Sequence, residues 1–229
     1  MELKPSLSRQ QTYKCLILGD SGVGKSTFLR RHATGQFRDE HVPTKGVQVY
    51  TLLLQTNYQD LALELWDVAG DERHGGLLNG YFFFAQCAII MFDLNVARSA
   101  ISVARWLHSL EQICGKQLPV VICGNKSELE RMPLDLLYHQ QGNLDYCEMS
   151  ARVAWNLEAP LELLCRRLLQ RNDLKLISQP TLRPIASCSC DEAEMRQHME
   201  QVRQQILPEK SEETFSYKGG NFKDCIVLN

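Results

Sequence analysis

Neither sign of charge dominates the sequence. Its 229 residues include 25 lysines and arginines and 27 aspartates and glutamates, which gives a formal net charge of -2 at pH 7. A net charge this small provides no general attraction to nucleic acid or to an anionic lipid surface. We therefore expect no direct binding to nucleic acid, and partners must be recognised through local groups of side chains.

Long apolar runs are also missing. The longest, from Tyr81 to Leu94, contains Gln86 and is shorter than the ~20 apolar residues that a transmembrane helix needs. Residues 1–11 are polar and lack the apolar centre of a secretory signal. Cys225 lies one position too far from the C-terminus for a four-residue prenylation signal. The sequence thus predicts neither secretion nor a membrane anchor.

A disulfide framework is not indicated either. The nine cysteines are an odd number, and several lie in apolar runs, where a free thiol behaves as a small buried hydrophobe. These are Cys15, Cys87, Cys123 and Cys165. Cys188 and Cys190 form an isolated pair without a nearby histidine or second cysteine pair, so a linker is favoured there over a metal site. We expect a reducing compartment.

Apolar runs typical of strands alternate with segments of helical periodicity. Cys87–Phe92 and Val120–Cys123 are continuously apolar, as in strands buried on both faces of a parallel sheet. Ala100–Cys114 carries apolar residues at helical spacing. The other predicted strands are Lys14–Gly19, Val47–Leu54, Leu61–Asp67 and Tyr146–Met149, and the other helices are Ser26–His32 and Leu161–Leu169. This alternation predicts an open, mostly parallel α/β sheet with helices on both faces.

Composition divides the chain into five parts. A flexible N-terminus, 1–11, precedes one folded domain, 12–171. Prolines and a Ser/Cys cluster interrupt the periodicity over 172–190, which predicts a linker. A narrow apolar stripe over 191–207 predicts an amphipathic helix, which must dock on the domain or on a partner because its apolar face is too thin to be stable alone. Residues 208–229 are predicted to be disordered.

The strongest chemical signal is a glycine-rich loop. Gly19–Ser26 matches the phosphate-loop pattern Gly-x-x-x-x-Gly-Lys-Ser/Thr and lies between a predicted strand and a predicted helix. Glycines permit the tight turn in which backbone N–H groups face phosphate oxygens at the positive end of a helix dipole. Lys25 would neutralise phosphate charge, and the hydroxyl of Ser26 would coordinate Mg²⁺.

Three further polar segments follow predicted strands. They are Asp67–Glu72, Gly124–Glu128 and Ser150–Arg152. An aspartate at a strand end is as often a helix cap or turn former as a ligand, and it becomes informative only beside the phosphate loop. The carboxylate of Glu128 could accept two hydrogen bonds from adjacent N–H donors on guanine, which adenine does not offer.

These four segments, in this order and spacing, resemble the Ras superfamily of small GTPases and are closest to its Ran branch, the nuclear-transport GTPases. The resemblance is carried by KCLILGDSGVGKSTFLRRHATGQF (14–37), GVQV (46–49), the run from Trp66 through GGLLNGYFFFAQCAIIMFDL (75–94), and CGNK (123–126). It extends over roughly residues 12–207, including the linker and the C-terminal helix. It implies a P-loop GTPase domain with a mostly parallel six-stranded sheet.

The resemblance also implies a site for GTP or GDP and Mg²⁺. The residues that would wrap the phosphates are Asp20, Ser21, Gly22, Val23, Gly24, Lys25, Ser26 and Thr27. Those that would contact or enclose guanine are Phe37, Asn125, Lys126, Glu128, Ser150, Ala151 and Arg152. Mg²⁺ would be held by Ser26, by Thr44 and, through water, by Asp67. Thr44 and Gly70 would sense the γ-phosphate, and Lys25, Thr44, Gly70 and Asp71 would form the catalytic set.

Two positions depart from the family pattern in ways that bear on activity. Asp71 replaces the glutamine that positions the attacking water, and it adds negative charge beside the γ-phosphate, so we expect slow hydrolysis. Glu128 replaces an aspartate and places its carboxylate one methylene further out, so guanine preference should persist but weaken. Arg152 replaces a lysine and can still stack on the base.

The implied role is a switch in transport between nucleus and cytoplasm. Its partners would be importin- and exportin-type transport receptors, an exchange factor and an activating protein, and the chain would be a monomer. Residues 139–143 lack the basic side chains of the Ran branch, and the tail lacks its acidic character, so contacts that depend on those charges should be weaker. A hydrolysis-deficient module that sequesters Ran partners is the alternative, and a P-loop kinase or ATPase is a third reading.

Overall fold

Six strands form a single sheet in the computed structural model, which describes residues 11–37, 42–70, 80–129 and 144–177. The strands are β1 (Gln11–Leu18), β2 (Val47–Gln55), β3 (Asp60–Val68), β4 (Cys87–Asp93), β5 (Val120–Asn125) and β6 (Leu144–Glu148). Their order across the sheet is β2-β3-β1-β4-β5-β6. Every residue of β4 is buried, as expected of a central strand that apolar layers cover on both faces.

Parallel pairing dominates the sheet. β1 pairs with β3 and β4 in parallel, and β5 pairs in parallel with β4 and β6. The exception is the hairpin of β2 and β3, which are antiparallel from Val47 opposite Val68 to Gln55 opposite Asp60. The polar break at residues 56–59 therefore forms the predicted hairpin turn. The six-stranded, mostly parallel α/β fold class is confirmed.

Three helices that lie wholly within the described residues cover the two faces of the sheet. They are α1 (Lys25–Thr34), α2 (Ala97–Cys114) and α3 (Ala159–Leu169). In β1, Cys15 and Ile17 belong to the apolar cluster that contains residues of α1 and α3, whereas Leu16 and Leu18 belong to the cluster that contains residues of α2. Because successive side chains of a strand point to opposite faces, one continuous apolar run supplies both layers of the core.

The described cysteines are free thiols, as expected from their positions in apolar runs. Cys15, Cys87, Cys123, Cys147 and Cys165 are buried, and Cys114 is partly buried. Burial raises the pKa of Cys87 and of Cys123 well above the ordinary thiol value, and it raises the pKa of Cys165 to about 12. These thiols are thus protonated parts of the apolar core. The pair Cys188 and Cys190 lies outside the described residues.

The folded domain extends beyond the boundary predicted at residue 171. Leu174 is fully buried in the core cluster of α1 and α3. Leu176 pairs with Thr56 at the end of the hairpin, and the N–H of Ile177 donates to the carbonyl of Gln55 at 2.8 Å. Residues 172–177 therefore belong to the domain and not to the linker, because their alternating leucines complete the core beneath β2.

The predicted remainder of the linker, the C-terminal helix at 191–207 and the tail lie outside the described residues. Within the described part of the chain, no helix is both long enough and apolar enough to cross a membrane.

Replacing Leu174 with alanine tests the extended boundary. We expect Leu174→Ala to lower the free energy of unfolding by about 2–5 kcal/mol, because it removes a fully buried side chain and leaves a cavity. Ile177→Ala is the matched control in the same segment, since that side chain is 55% exposed, and its effect should stay within about 0.5 kcal/mol. Urea unfolding measures both. If both substitutions changed the free energy of unfolding by the same small amount, residues 172–177 would belong to the linker as predicted.

Candidate functional site

Four loops meet at one edge of the sheet. β1, β3, β5 and β6 run parallel, so the loops that follow them leave from the same side of the sheet. The carboxyl edge of parallel strands is where open α/β sheets bind ligands. A cavity of about 300 Å³ lies there. Its volume is within the range of small-molecule sites.

Most of the residues predicted from the sequence line this cavity. They are Ser21, Gly22, Gly24, Lys25, Ser26, Thr27, Phe37, Thr44, Gly70, Asn125, Lys126, Glu128, Ala151 and Arg152. Arg30, Val42 and Leu129 also line it and were not predicted. Asp20 and Val23 line a neighbouring cavity. Asp71 lies outside the described residues, so its placement stays a prediction.

The phosphate loop leads directly into α1. Gly24 precedes the helix with φ +100°, a conformation that glycine adopts without strain. Within the described chain, the first turn of α1 has neither an acidic residue nor a side-chain cap. The positive end of the helix dipole is thus left for an anion in the cavity.

The side chain of Lys25 lies against the same loop. Its ammonium group donates to the carbonyls of Gly19 and Asp20 at 2.8 and 2.9 Å. Burial lowers the pKa of Lys25 to about 8, although the carboxylates of Asp67 and Asp20 oppose that shift. A buried ammonium whose hydrogen bonds go to neutral carbonyls is a strong attractor for phosphate oxygens.

Three oxygen-bearing side chains converge beside Lys25. The hydroxyl of Ser26 donates to the Asp67 carboxylate at 2.5 Å and lies 2.7 Å from the hydroxyl of Thr44. The Thr44 hydroxyl also donates to the same carboxylate oxygen at 3.5 Å. Burial raises the pKa of Asp67, and the hydrogen bond from Ser26 and the charge of Lys25 counter that rise.

This oxygen cluster fits a hard divalent cation. Asp67 is fully buried, and its Oδ1 has no hydrogen-bond partner among the described residues. No cluster of three His, Cys, Asp or Glu side chains suited to a metal occurs in the described part of the chain. Mg²⁺ typically binds through one or two carboxylates together with water and phosphate oxygens, and not in an all-protein cage. The donor set therefore suits Mg²⁺ bound together with a phosphate ligand.

Asn125 joins the phosphate loop to the last of the four loops. Its amide nitrogen donates to the carbonyl of Val23 at 2.8 Å, and its amide oxygen accepts from the N–H of Ala151 at 3.0 Å. A Cβ on Gly24 would lie 2.3 Å from the Asn125 amide nitrogen. Because Gly24 has no side chain, the Asn125 amide can pass close to the phosphate loop. This one buried amide thereby fixes the distance between the two ends of the cavity.

Lys126 is fixed by residues that the sequence did not single out. It has φ +65°, its ammonium pairs with the Asp93 carboxylate at 2.7 Å, and its carbonyl accepts from the side chain of Asn95 at 3.1 Å. Asp93 also accepts from the backbone N–H of Asn95. One feature of the sequence could have identified Asp93: it directly follows the predicted strand Cys87–Phe92, at the edge of the sheet where ligands bind.

Glu128 completes the far end of the cavity. Its carboxylate oxygen Oε2 is buried and has no hydrogen-bond partner among the described residues. An acceptor of this kind is costly to leave unpaired and is suited to N–H donors on a bound ligand. Glu128, the residue predicted to recognise the base, therefore lies at the cavity with one carboxylate oxygen that can accept hydrogen bonds from a ligand.

Two predicted residues turn their side chains away from the cavity. The carboxylate of Asp20 accepts from Arg105 at 3.1 Å and from the indole of Trp106 at 2.9 Å, both on α2. The hydroxyl of Ser150, which is fully buried, accepts from the N–H of Val153 at 3.1 Å. These side chains shape the loops, so any ligand contact of Asp20 or Ser150 must come from the backbone.

Asn125→Asp tests whether the amide joins the two loops. An aspartate keeps the acceptor for the N–H of Ala151 but places a carboxylate oxygen against the carbonyl of Val23. The free energy of unfolding should therefore fall by about 1–3 kcal/mol. The control is Asn57→Asp at the hairpin, where the amide also donates to and accepts from the backbone, at Asp173 and Lys175, but is exposed. Urea unfolding without added ligand compares them, and equal losses would contradict the role of Asn125.

Comparison with known families agrees with the geometry. A model of the Ras family matches residues 14–170 of this chain, more than half its length. The matched range contains the phosphate loop, the oxygen cluster and both loops of the far end of the cavity. The chain therefore belongs to the Ras family, whose members are small GTP-binding switch proteins.

Proposed function

We propose that the protein is a guanine-nucleotide switch of the Ran type, which binds GTP or GDP with Mg²⁺ and is read by partners according to the nucleotide. The observation that supports this most is the convergence of three features on one cavity. These are the buried ammonium of Lys25, the oxygen cluster at Asp67 and the unpaired carboxylate oxygen of Glu128. They match in order the phosphates, the cation and the base of a nucleotide.

At the phosphate end, the chain supplies positive charge and hydroxyl groups. Lys25 would exchange its two carbonyl contacts for phosphate oxygens, which accept stronger charge-assisted hydrogen bonds. Ser26, Thr44 and Asp67 would hold Mg²⁺, which when bound neutralises phosphate charge. The hydroxyls of Ser26 and Thr44 already lie within hydrogen-bond reach of each other, so little rearrangement of these side chains is required.

At the base end, specificity would come from the carboxylate of Glu128. Guanine offers adjacent N–H donors to an acceptor, and adenine does not. The ring of Phe37 and the backbone around Ala151 bound the same end of the cavity. The guanidinium of Arg152 lies 5.8 Å from the Phe37 ring centroid, where it can also cover a base.

The switch itself would be the two segments that reach the γ-phosphate. Thr44 precedes β2, and Gly70 follows β3, so both segments border the cavity. Contacts of this kind are ordered by the γ-phosphate and released after its loss. Importin- and exportin-type transport receptors, an exchange factor and an activating protein would read that difference, with the protein acting in nucleus and cytoplasm as a monomer. The Ran-like runs at 14–37 and 75–94 support this branch.

Asp71 favours a second candidate, a GTP-loaded module that sequesters the partners of Ran without efficient hydrolysis. The residue is one methylene shorter than glutamine, and at the position of that glutamine it would add negative charge beside a phosphate that gains charge in the transition state. The nucleotide that freshly purified protein releases separates the two candidates. GDP indicates turnover, and mostly GTP indicates the sequestering module.

Glu128 variants test guanine recognition. Removing the carboxylate in Glu128→Ala should weaken GDP binding about a hundredfold, because two charge-assisted hydrogen bonds are lost, while ADP binding stays unchanged and weak. Glu128→Asp should tighten GDP binding by about tenfold if the longer side chain fits imperfectly. Calorimetric titration of the wild type and both variants with GDP and with ADP measures these affinities. ADP binding as tight as GDP binding would overturn guanine specificity and point to a P-loop kinase or ATPase.

Asp71→Gln tests the effect on hydrolysis. Restoring a neutral side chain that can orient water should raise the rate of single-turnover GTP hydrolysis by about 10²–10³. The release rate of GDP is the control and should not change, since the substitution acts on the γ-phosphate. Equal hydrolysis rates in the two proteins would show that Asp71 does not limit turnover.

A further inference from the structure

Arg31 is the largest fully buried side chain of the described residues. It lies in the last turn of α1, is 1% exposed, and is not among the residues that line the nucleotide cavity. Burying a guanidinium is costly unless hydrogen bonds compensate for the lost water. Its contacts must therefore be strong enough to hold the surrounding backbone in place.

The guanidinium donates to backbone carbonyls from two different loops. Its Nε donates to Ala151 at 2.9 Å and its Nη2 to Arg152 at 2.6 Å, both in the loop after β6. Its Nη1 donates to Gly35 at 2.9 Å, at the C-terminal end of α1. A planar fork can serve three fixed acceptors at once, whereas a lysine ammonium at the end of a flexible stem cannot match that geometry.

The same side chain lies close to Phe37. The Arg31 guanidinium is 5.7 Å from the centroid of the Phe37 ring, and the Arg152 guanidinium is 5.8 Å from the same centroid. Phe37, Ala151 and Arg152 all line the base end of the cavity. Arg31 therefore contacts the two segments that bound the base end, the loop of Ala151 and the segment of Phe37. It does not itself line the cavity.

We propose that Arg31 is a positioning residue that sets how long the nucleotide stays bound. It fastens the loop of Ala151 and the segment of Phe37 to α1, the helix that begins at the phosphate loop. For the base to leave, these walls must separate, and that separation breaks hydrogen bonds to a buried charge. The inference rests on the proposed function, because it assigns Arg31 a role at the base end of the guanine-nucleotide site.

Arg31→Lys tests this role, with Arg166→Lys as the matched control. Arg166 is also a helix arginine that donates to a backbone carbonyl, that of Leu174 at 2.9 Å, and it pairs with Glu162 on α3 away from the cavity. Release of a fluorescent GDP derivative is followed after adding excess GDP, and urea unfolding is measured in parallel. We expect release to become about tenfold faster or more in Arg31→Lys and to stay at the wild-type rate in Arg166→Lys, with both variants less stable.

Arg31→Gln is the second variant in case Arg31→Lys does not fold. Its planar amide can keep one carbonyl contact, so its release rate should also exceed that of the wild type. Wild-type release rates in folded Arg31 variants would overturn the inference and leave a purely structural role. A wild-type protein that retains no GDP would overturn the proposed function instead, so the two failures are distinguishable.

Discussion

The side-chain amide of Asn125 holds the candidate site together. β5 carries it to the edge of the sheet, and its two hydrogen bonds connect the phosphate loop to the loop of Ala151. Gly24 must lack a side chain for that connection to exist. Arg31 fastens the loop of Ala151 from the opposite side. The two ends of the cavity are therefore held at a fixed separation by buried polar contacts that originate on regular secondary structure.

Such a framework leaves some polar atoms without partners. The described chain contains five buried side-chain nitrogen or oxygen atoms of this kind, on Trp66, Asp67, Asn95, Ser127 and Glu128. Asp67 and Glu128 belong to the site, Asn95 donates to the carbonyl of Lys126, and Ser127 lies between Lys126 and Glu128 in the chain. Unpaired buried groups reduce stability, and their concentration here is what a preorganised site requires, since groups already satisfied by the protein would have to be released before a ligand could bind.

The sequence predicted the sheet well because its strands are apolar runs with few polar interruptions. Predicted strand ends differ from the observed ones by only a few residues. α2 starts at Ala97, earlier than predicted, because the hydroxyl of Ser99 accepts from the N–H of Asp93 and donates to the carbonyl of Val96. That contact depends on tertiary placement and leaves no periodic signal. The boundary at residue 171 was wrong because the apolar residues that follow it, Leu174, Leu176 and Ile177, form too short a run to predict an element.

The site residues that belong to short sequence motifs could be predicted. Lys25, Ser26 and Asn125 stand in recognisable patterns, and the structure brings them to one cavity. Arg31 and Asp93 were not predicted, because an arginine in a basic run usually marks an exposed surface and an aspartate at a strand end usually marks a turn. Only the fold shows that these two side chains are buried beneath the loops. Asp71 and the C-terminal helix remain predictions.

The cysteines of the core give the protein a chemical property of its own. Thiol reagents attack the thiolate, and burial holds Cys87 on β4, Cys123 on β5 and Cys165 on α3 in the protonated form. Alkylation of each thiol requires that the element carrying it opens first. The labelling rates of the three cysteines therefore report local unfolding of two strands and one helix separately.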